Sequence, residues 1–185
     1  MTARNVAVFV GSLRKESLSR KLAVALGPLA PSLKLEIVPI GDLPHYDQDL
    51  DTDTPPAAWV ALRQKVAAAD ALLFVTPEYN RSVPGVLKNA LDVGSRPYGH
   101  SVWDAKPGAV VSVSPGALGA FGANHHLRQS LVYLNVPTLN QPEAYIGGAA
   151  ELLDAGGNWK NESTRAFLAR FMEAFAAWIE RHARR

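Results

Sequence analysis

The sequence contains no cysteine, which excludes disulfides, thiolate metal centres and a cysteine nucleophile, and fits a reducing compartment. It has no apolar run approaching the roughly 18–20 residues that span a bilayer. Its opening residues, MTARNVAVFVGS, turn polar after a short apolar stretch, unlike a secretory leader. A cytoplasmic protein that does not engage membranes is expected. An excess of one charge is also missing: 19 Lys and Arg stand against 17 Asp and Glu, a formal net charge of +2, so there is no basic footprint for nucleic acid. Metal-ligand spacing is absent as well. The adjacent His125 and His126 fall on different sides of a helical pattern, while His45 and His100 are far away in sequence, so no metal site is expected.

The 185 residues are 48% hydrophobic and 19% charged, close to the averages of a globular domain. No repeat or linker divides them, so one domain over residues 1–185 is expected. A chain of this length buries roughly 70% of its unfolded surface without a staple.

Three apolar runs, Val6–Val10, Ala71–Val75 and Ala109–Val113, lack alternation and end at Gly, Pro or Ser, as strands buried on both faces do. Leu35–Val38 and Leu139–Ile146 are weaker strand candidates. Helical patterns lie between them at 17–29, 56–69, 84–93, 118–134 and 163–181. Ser17 and Ser163 are candidate N-caps, and Pro56 suits an opening turn. Arg181, His182, Arg184 and Arg185 favour the negative end of the last helix dipole. In that helix Phe167, Leu168, Phe171, Met172, Phe175, Trp178 and Ile179 form a core-facing stripe. Alternating strands and helices predict an α/β fold, a flavodoxin-like doubly wound five-stranded parallel sheet with helices on both faces. The connections at 41–54, rich in aspartate, and 147–162, rich in glycine, read as solvated excursions. Trp59 and Trp103 read as packing residues.

Ligands of such a sheet lie outside the carboxyl ends of its strands. The first loop there, Gly11–Arg20, places Ser12, Ser17, Ser19 and Arg14 around a helix N-terminus, a donor set for a phosphate. Four or five charge-assisted hydrogen bonds of about 1.5–3 kcal/mol each would hold a phosphomonoester firmly. It is not a Walker A loop, because Glu16 stands where the spacing from Gly11 demands glycine, and the G-x-G-x-x-G of a dinucleotide fold is absent. The second loop, Thr76–Gly85, is stiffened by Pro77 and Pro84 and presents Tyr79 and Asn80, a flat surface with backbone amides for a planar heterocycle. The third, Ser114–Ala120, is built of small residues that let a ring approach the backbone.

These motifs, G-S-L-R-K-x-S, then T-P-E-Y-N-x-S-x-P-G-x-L-K-N-A-L-D, then K-P followed by S-x-G-x-x-G, resemble those of the NAD(P)H-dependent FMN reductase family, in particular its bacterial quinone and chromate reductase branch. The resemblance runs from about Val6 into the last helix. It implies FMN as cofactor, NADH or NADPH as donor, a quinone-like small molecule as acceptor, and a homodimer or homotetramer. By position it implies that Ser12, Arg14, Ser17, Ser19 and the backbone at Leu18 hold the FMN phosphate. Pro77, Glu78, Tyr79 and Asn80 would follow the ribityl chain and the isoalloxazine edge, and Ser114 and Gly116 the pyrimidine side. Backbone N–H groups of the Tyr79–Asn80 turn would tune the flavin near N1, N5 and O2. Lys88, Asn89 and Asp92 belong to the motif but lie beyond the turn, where anchoring a loop or lining a subunit contact is expected. Ser19 stands where relatives often have Asn, and Ala120 replaces a frequent second Gly.

The implied reaction moves two electrons as hydride through FMN to a quinone, with chromate or azo compounds as adventitious acceptors. The cofactor carries that chemistry, so no catalytic side chain is assigned. Three other readings stay open on the sequence: a free-flavin reductase or azoreductase, a flavodoxin-like one-electron carrier, and a nucleotide-binding module. Against the carrier stands the net charge, since a carrier docking a basic partner would be distinctly acidic.

Overall fold

The computed structural model describes residues 3–183; Arg184 and Arg185, assigned above to the last helix dipole, lie outside the described residues. Strands β1 (Arg4–Val10), β2 (Leu33–Ile37), β3 (Ala71–Thr76), β4 (Gly108–Val113) and β5 (Ala144–Ile146) form one sheet. Its order is β2-β1-β3-β4-β5 and every pairing is parallel, the flavodoxin-like arrangement. Helices α1 (Leu18–Leu26), α2 (Ala57–Ala68), α3 (Gly85–Gly94), α4 (Phe121–Tyr133) and α5 (Glu162–His182) connect and follow the strands.

The unalternating strands are explained by two cores. Val6, Val8, Val10, Leu73 and Val75 pack with Leu22 and Leu26 of α1 and with Leu168, Phe171, Met172 and Phe175 of α5. On the opposite face Phe9, Leu72, Phe74 and Val110 meet Trp59 and Val66 of α2, Leu87 and Leu91 of α3, and Leu127 and Leu131 of α4. The stripe predicted on α5 is buried along Leu168, Phe171, Met172, Phe175 and Ile179, while Phe167 and Trp178 pack partly buried at its margin. Trp59 and Trp103 are fully buried, their indole N–H groups donating to the carbonyls of Pro44 and Leu91.

Several boundaries differ from the sequence reading. The first helix stops at Leu26 and tightens into a 3₁₀ turn at Gly27–Leu29, because Pro28 brings no N–H to the ladder. The fourth starts at Phe121 rather than 118, since Gly119 and Ala120 take φ of 56° and 60°. The last is capped not by Ser163 but by Asn161, whose Oδ1 accepts the Thr164 N–H at 2.9 Å. The predicted strand at 139–146 shrinks to Ala144–Ile146, with Pro142 unable to donate in the ladder. The aspartate-rich connection at 41–54 is more than a solvated excursion. Asn89 of α3 accepts the Tyr46 N–H at 2.8 Å and donates to the carbonyls of Leu43 and Pro44, so this motif residue anchors a loop. Asp51 forms a bidentate pair with Arg63 of α2 at 2.9 and 3.1 Å.

Candidate cofactor site

The chain order reverses between β1 and β3, and ligands of this topology lie in the crevice at that switch point. The loops after β1 and β3 leave side by side there. Gly11 N–H donates to the Val75 carbonyl at 3.0 Å, and a Cβ on Gly11 would lie 2.9 Å from Pro77 Cδ. The close approach of the two loops therefore needs glycine.

In the first loop Ser12, Ser17 and Ser19 are buried while Leu13, Arg14, Lys15 and Glu16 are exposed. Ser17 caps α1 as predicted, its Oγ accepting the Arg20 N–H at 3.1 Å while its carbonyl takes the Lys21 N–H. Ser12 Oγ accepts the Arg14 N–H at 3.4 Å. Both hydroxyls keep a proton to donate. The N–H groups of Leu18 and Ser19, which open the helix, have no acceptor among the described residues, as expected of a first helical turn. The Arg14 guanidinium likewise has no hydrogen bond or ion pair among the described residues. Hydroxyls, free amides, a dipole and an unpaired cation thus share one edge.

The second loop is a tight hairpin. Tyr79 and Ser82 exchange backbone hydrogen bonds at 3.1 and 3.0 Å, and between them Asn80 and Arg81 take φ of 51° and 65°. Both central residues are left-handed, as in the primed turns that match strand twist. This changes which donors are free. The Tyr79 N–H is spent on the Ser82 carbonyl, whereas Asn80 and Arg81 N–H have no acceptor among the described residues, so of the Tyr79–Asn80 amides expected to be available it is that of Asn80 that is free. The Tyr79 ring is 46% exposed. The Glu78 carboxylate turns to α4, where it accepts the Ala123 N–H at 3.0 Å.

The third loop is closed on itself and on β5. Ser114 Oγ donates to the Gly116 carbonyl at 3.1 Å, and Ser114 N–H to the Ile146 carbonyl at 2.9 Å. A Cβ on Gly116 would meet only Ser114 Oγ, at 3.8 Å, so open space lies over that backbone. Ala120 sits in the left-handed region at φ 60°, ψ 42°, a conformation that glycine adopts without the steric penalty of a Cβ. An L-residue pays about 1–2 kcal/mol in that conformation, partly offset by the larger unfolded-state entropy of glycine. Ala120→Gly is therefore expected to raise the unfolding free energy by roughly 0.5–1 kcal/mol, read from the urea midpoint.

Sequence reasoning missed the polar network beneath this loop. Asn124, fully buried, donates to Ser112 Oγ at 3.1 Å, and Ser112 Oγ donates to the Gly119 carbonyl at 2.7 Å. Arg128 Nε in turn donates to Asn124 Oδ1 at 2.9 Å. His125 and His126 do part company: His125 Nε2 meets Tyr145 Oη at 3.1 Å, and His126 Nδ1 meets Ser82 Oγ at 3.0 Å. Burial, then a hydrogen bond and the charge of Glu143, hold the Tyr145 phenol above its ordinary pKa. Lys88 and Asp92 form an exposed pair along α3. A polar cavity of about 470 Å³ lined by Arg4, Asp70, Ser101 and Lys106 opens at the opposite, amino end of the sheet, away from these loops.

The model of the NADPH-dependent FMN reductase family matches residues 4–151. A quinone reductase of Pseudomonas putida is 62% identical over 177 residues, 95% of each chain. A 2-hydroxy-1,4-benzoquinone reductase of a Burkholderia species is 52% identical, over 96% of this chain and 97% of that one. Among solved structures, the flavoenzyme NAD(P)H:(acceptor) oxidoreductase FerB from Paracoccus denitrificans superposes with a TM-score of 0.93 at 45% identity, covering 98% of this chain and 100% of that one. Motif, topology and whole-length similarity agree: the chain belongs to the NADPH-dependent FMN reductase family.

Proposed function

We propose that this chain, as one FMN-binding domain over residues 1–185, is an FMN-dependent NAD(P)H oxidoreductase that passes two electrons to quinones. The observation that carries the reading is the first loop, with its buried hydroxyls and with Leu18 and Ser19 amides and an Arg14 guanidinium that have no hydrogen-bond partner among the described residues, all at the start of α1. That donor set fits a phosphomonoester dianion, and the open backbone at Gly116 fits a flat ring beside it. When bound, FMN supplies hydride transfer from the nicotinamide to the acceptor.

The protein's own part is binding and orientation. Ser12, Arg14, Ser17, Ser19 and the Leu18 backbone take the phosphate. Pro77 and the backbone at Glu78 follow the ribityl chain. Asn80 N–H and the Tyr79 ring meet the isoalloxazine edge, and Ser114 and Gly116 its pyrimidine side. An unpaired N–H donor at that edge would favour the negative charge of a reduced flavin when FMN is bound. A quinone as acceptor is supported by the relatives named quinone reductase and 2-hydroxy-1,4-benzoquinone reductase; chromate and azo compounds belong to this reading as adventitious acceptors. The reading places the protein in the cytoplasm, where reduced pyridine nucleotides are available; among the described residues no helix is long and apolar enough to cross a membrane.

The test is to titrate the flavin-free protein with FMN and with riboflavin, which lacks the phosphate. FMN is expected to bind at least about 100-fold more tightly, from two or more charge-assisted hydrogen bonds. Equal affinities would contradict the phosphate assignment.

A homodimer or homotetramer is part of the same reading. Leu118 and Phe121 are 65% and 51% exposed at the start of α4, and Val132 and Tyr133 75% and 80% exposed at its end, apolar surface that a second copy would cover. Val132→Glu is expected to shift the mass in sedimentation equilibrium toward the monomer, and an unchanged mass would remove this face from the contact.

A further inference from the structure

The start of α4 has an unusual cap. Its N-cap residue, Ala120, offers no side-chain acceptor, yet a helix start leaves amides and a positive dipole end to satisfy. The acceptor comes from Glu78, 45 positions upstream, whose Oε2 takes the Ala123 N–H at 3.0 Å. The Glu78 side chain is only 17% exposed, and Arg81 Nη1 lies 3.8 Å from its other oxygen. Gly122 makes the approach feasible, since a Cβ there would lie 2.9 Å from the Arg81 carbonyl oxygen and 3.0 Å from Glu78 Oε2. A second tie joins the far side of the turn, where Ser82 Oγ lies 3.0 Å from His126 Nδ1.

What these ties hold is a turn with two non-glycine residues in the left-handed region. Such a conformation persists only where its surroundings over-determine it. The turn also carries two donors without an acceptor among the described residues, Asn80 and Arg81 N–H.

We propose that Glu78 is a positioning residue: by capping α4 at Ala123 and facing Arg81, it fixes the Asn80–Arg81 turn in the one arrangement that aims its free N–H groups at the flavin. The proposal rests on the reading above, in which this hairpin borders FMN. It gives the Glu78 carboxylate a role through the turn, leaving only the Glu78 backbone to follow the cofactor, and it makes the N-terminal turn of α4 a support for the redox site.

The test compares wild type, Glu78→Ala, Glu78→Gln and Gly122→Ala by FMN titration and by the two-electron potential of the bound flavin. Glu78→Ala is expected to weaken oxidised FMN about tenfold. Reduced FMN, which depends more on those donors, should weaken about tenfold further, moving the potential about 30 mV more negative. Glu78→Gln keeps an acceptor for Ala123 and should restore most of both. Gly122→Ala favours the helix by intrinsic propensity, yet it displaces Glu78 and the Arg81 carbonyl and should weaken FMN severalfold; this variant decides the matter if Glu78→Ala does not fold. Wild-type affinity and potential in all folded variants, even with lowered thermal stability, would overturn the proposal and leave Glu78 a helix cap alone. If wild type itself bound no FMN, the functional reading would fall, and amide exchange in the flavin-free protein would still judge the clasp. Faster exchange at residues 80–82 and 123 in Glu78→Ala supports it, and unchanged exchange there overturns it.

Discussion

Arg14→Ala is expected to weaken FMN binding by about 10- to 100-fold while leaving the unfolding transition unchanged. The range is that of one charge-assisted hydrogen bond to a phosphate, about 1.5–3 kcal/mol. The fold should not respond, because the Arg14 side chain is exposed and its guanidinium makes no hydrogen bond or ion pair among the described residues. Apart from a minor coulombic effect on the exposed Glu16 carboxylate, its cation is available to an anion. Riboflavin supplies the control: the substitution should leave its weak binding unaltered. An Arg14→Ala protein that retains FMN as tightly as wild type would separate Arg14 from the phosphate.

A larger effect on stability is expected from Arg63→Met. Asp51 and Arg63 have side chains only 5% and 13% exposed, joined by two hydrogen bonds. Arg63 Nε also donates to the Val93 carbonyl at 3.0 Å, and its guanidinium lies 5.8 Å from the Trp59 ring centroid. Removing the cation strands a buried carboxylate, which costs about 3–5 kcal/mol. Because replacing both partners of a buried pair is often nearly neutral, adding Asp51→Asn should recover part of that loss. Urea unfolding measures both. A single-variant loss below about 1 kcal/mol, as for a surface pair, would show that this loop is not held by the pair.

What the sequence made legible was local. Unalternating runs such as Ala71–Val75 announced strands covered on both sides, and the three-and-four spacing of Leu168, Phe171, Met172 and Phe175 announced the helix that covers one of them. The Ser17 cap and the cluster of hydroxyls and amides beside it were readable because their parts lie within one short segment at a strand-to-helix junction. Contacts across the fold were not. Nothing near Glu78 in sequence announces Ala123 as its partner, and nothing near Asn89 announces the backbone of residues 43–46. Which amide of the Tyr79–Asn80 turn is free is set by the same kind of geometry: two successive left-handed residues close the loop so tightly that Ser82 takes the Tyr79 amide and the Asn80 amide is left without an acceptor among the described residues. Asn161 displaced Ser163 as a cap because either residue type can serve, and only the backbone geometry of residues 161–164 decides.

The most direct test of the account is an anaerobic absorbance spectrum of the FMN-loaded protein, taken after NADH, then NADPH, and then a measured dose of 1,4-benzoquinone. The account predicts that a pyridine nucleotide bleaches the flavin and that one equivalent of quinone restores it, with the flavin bound throughout. Flavin that stays yellow with both nucleotides, or that is bleached but not restored by quinone, would contradict it.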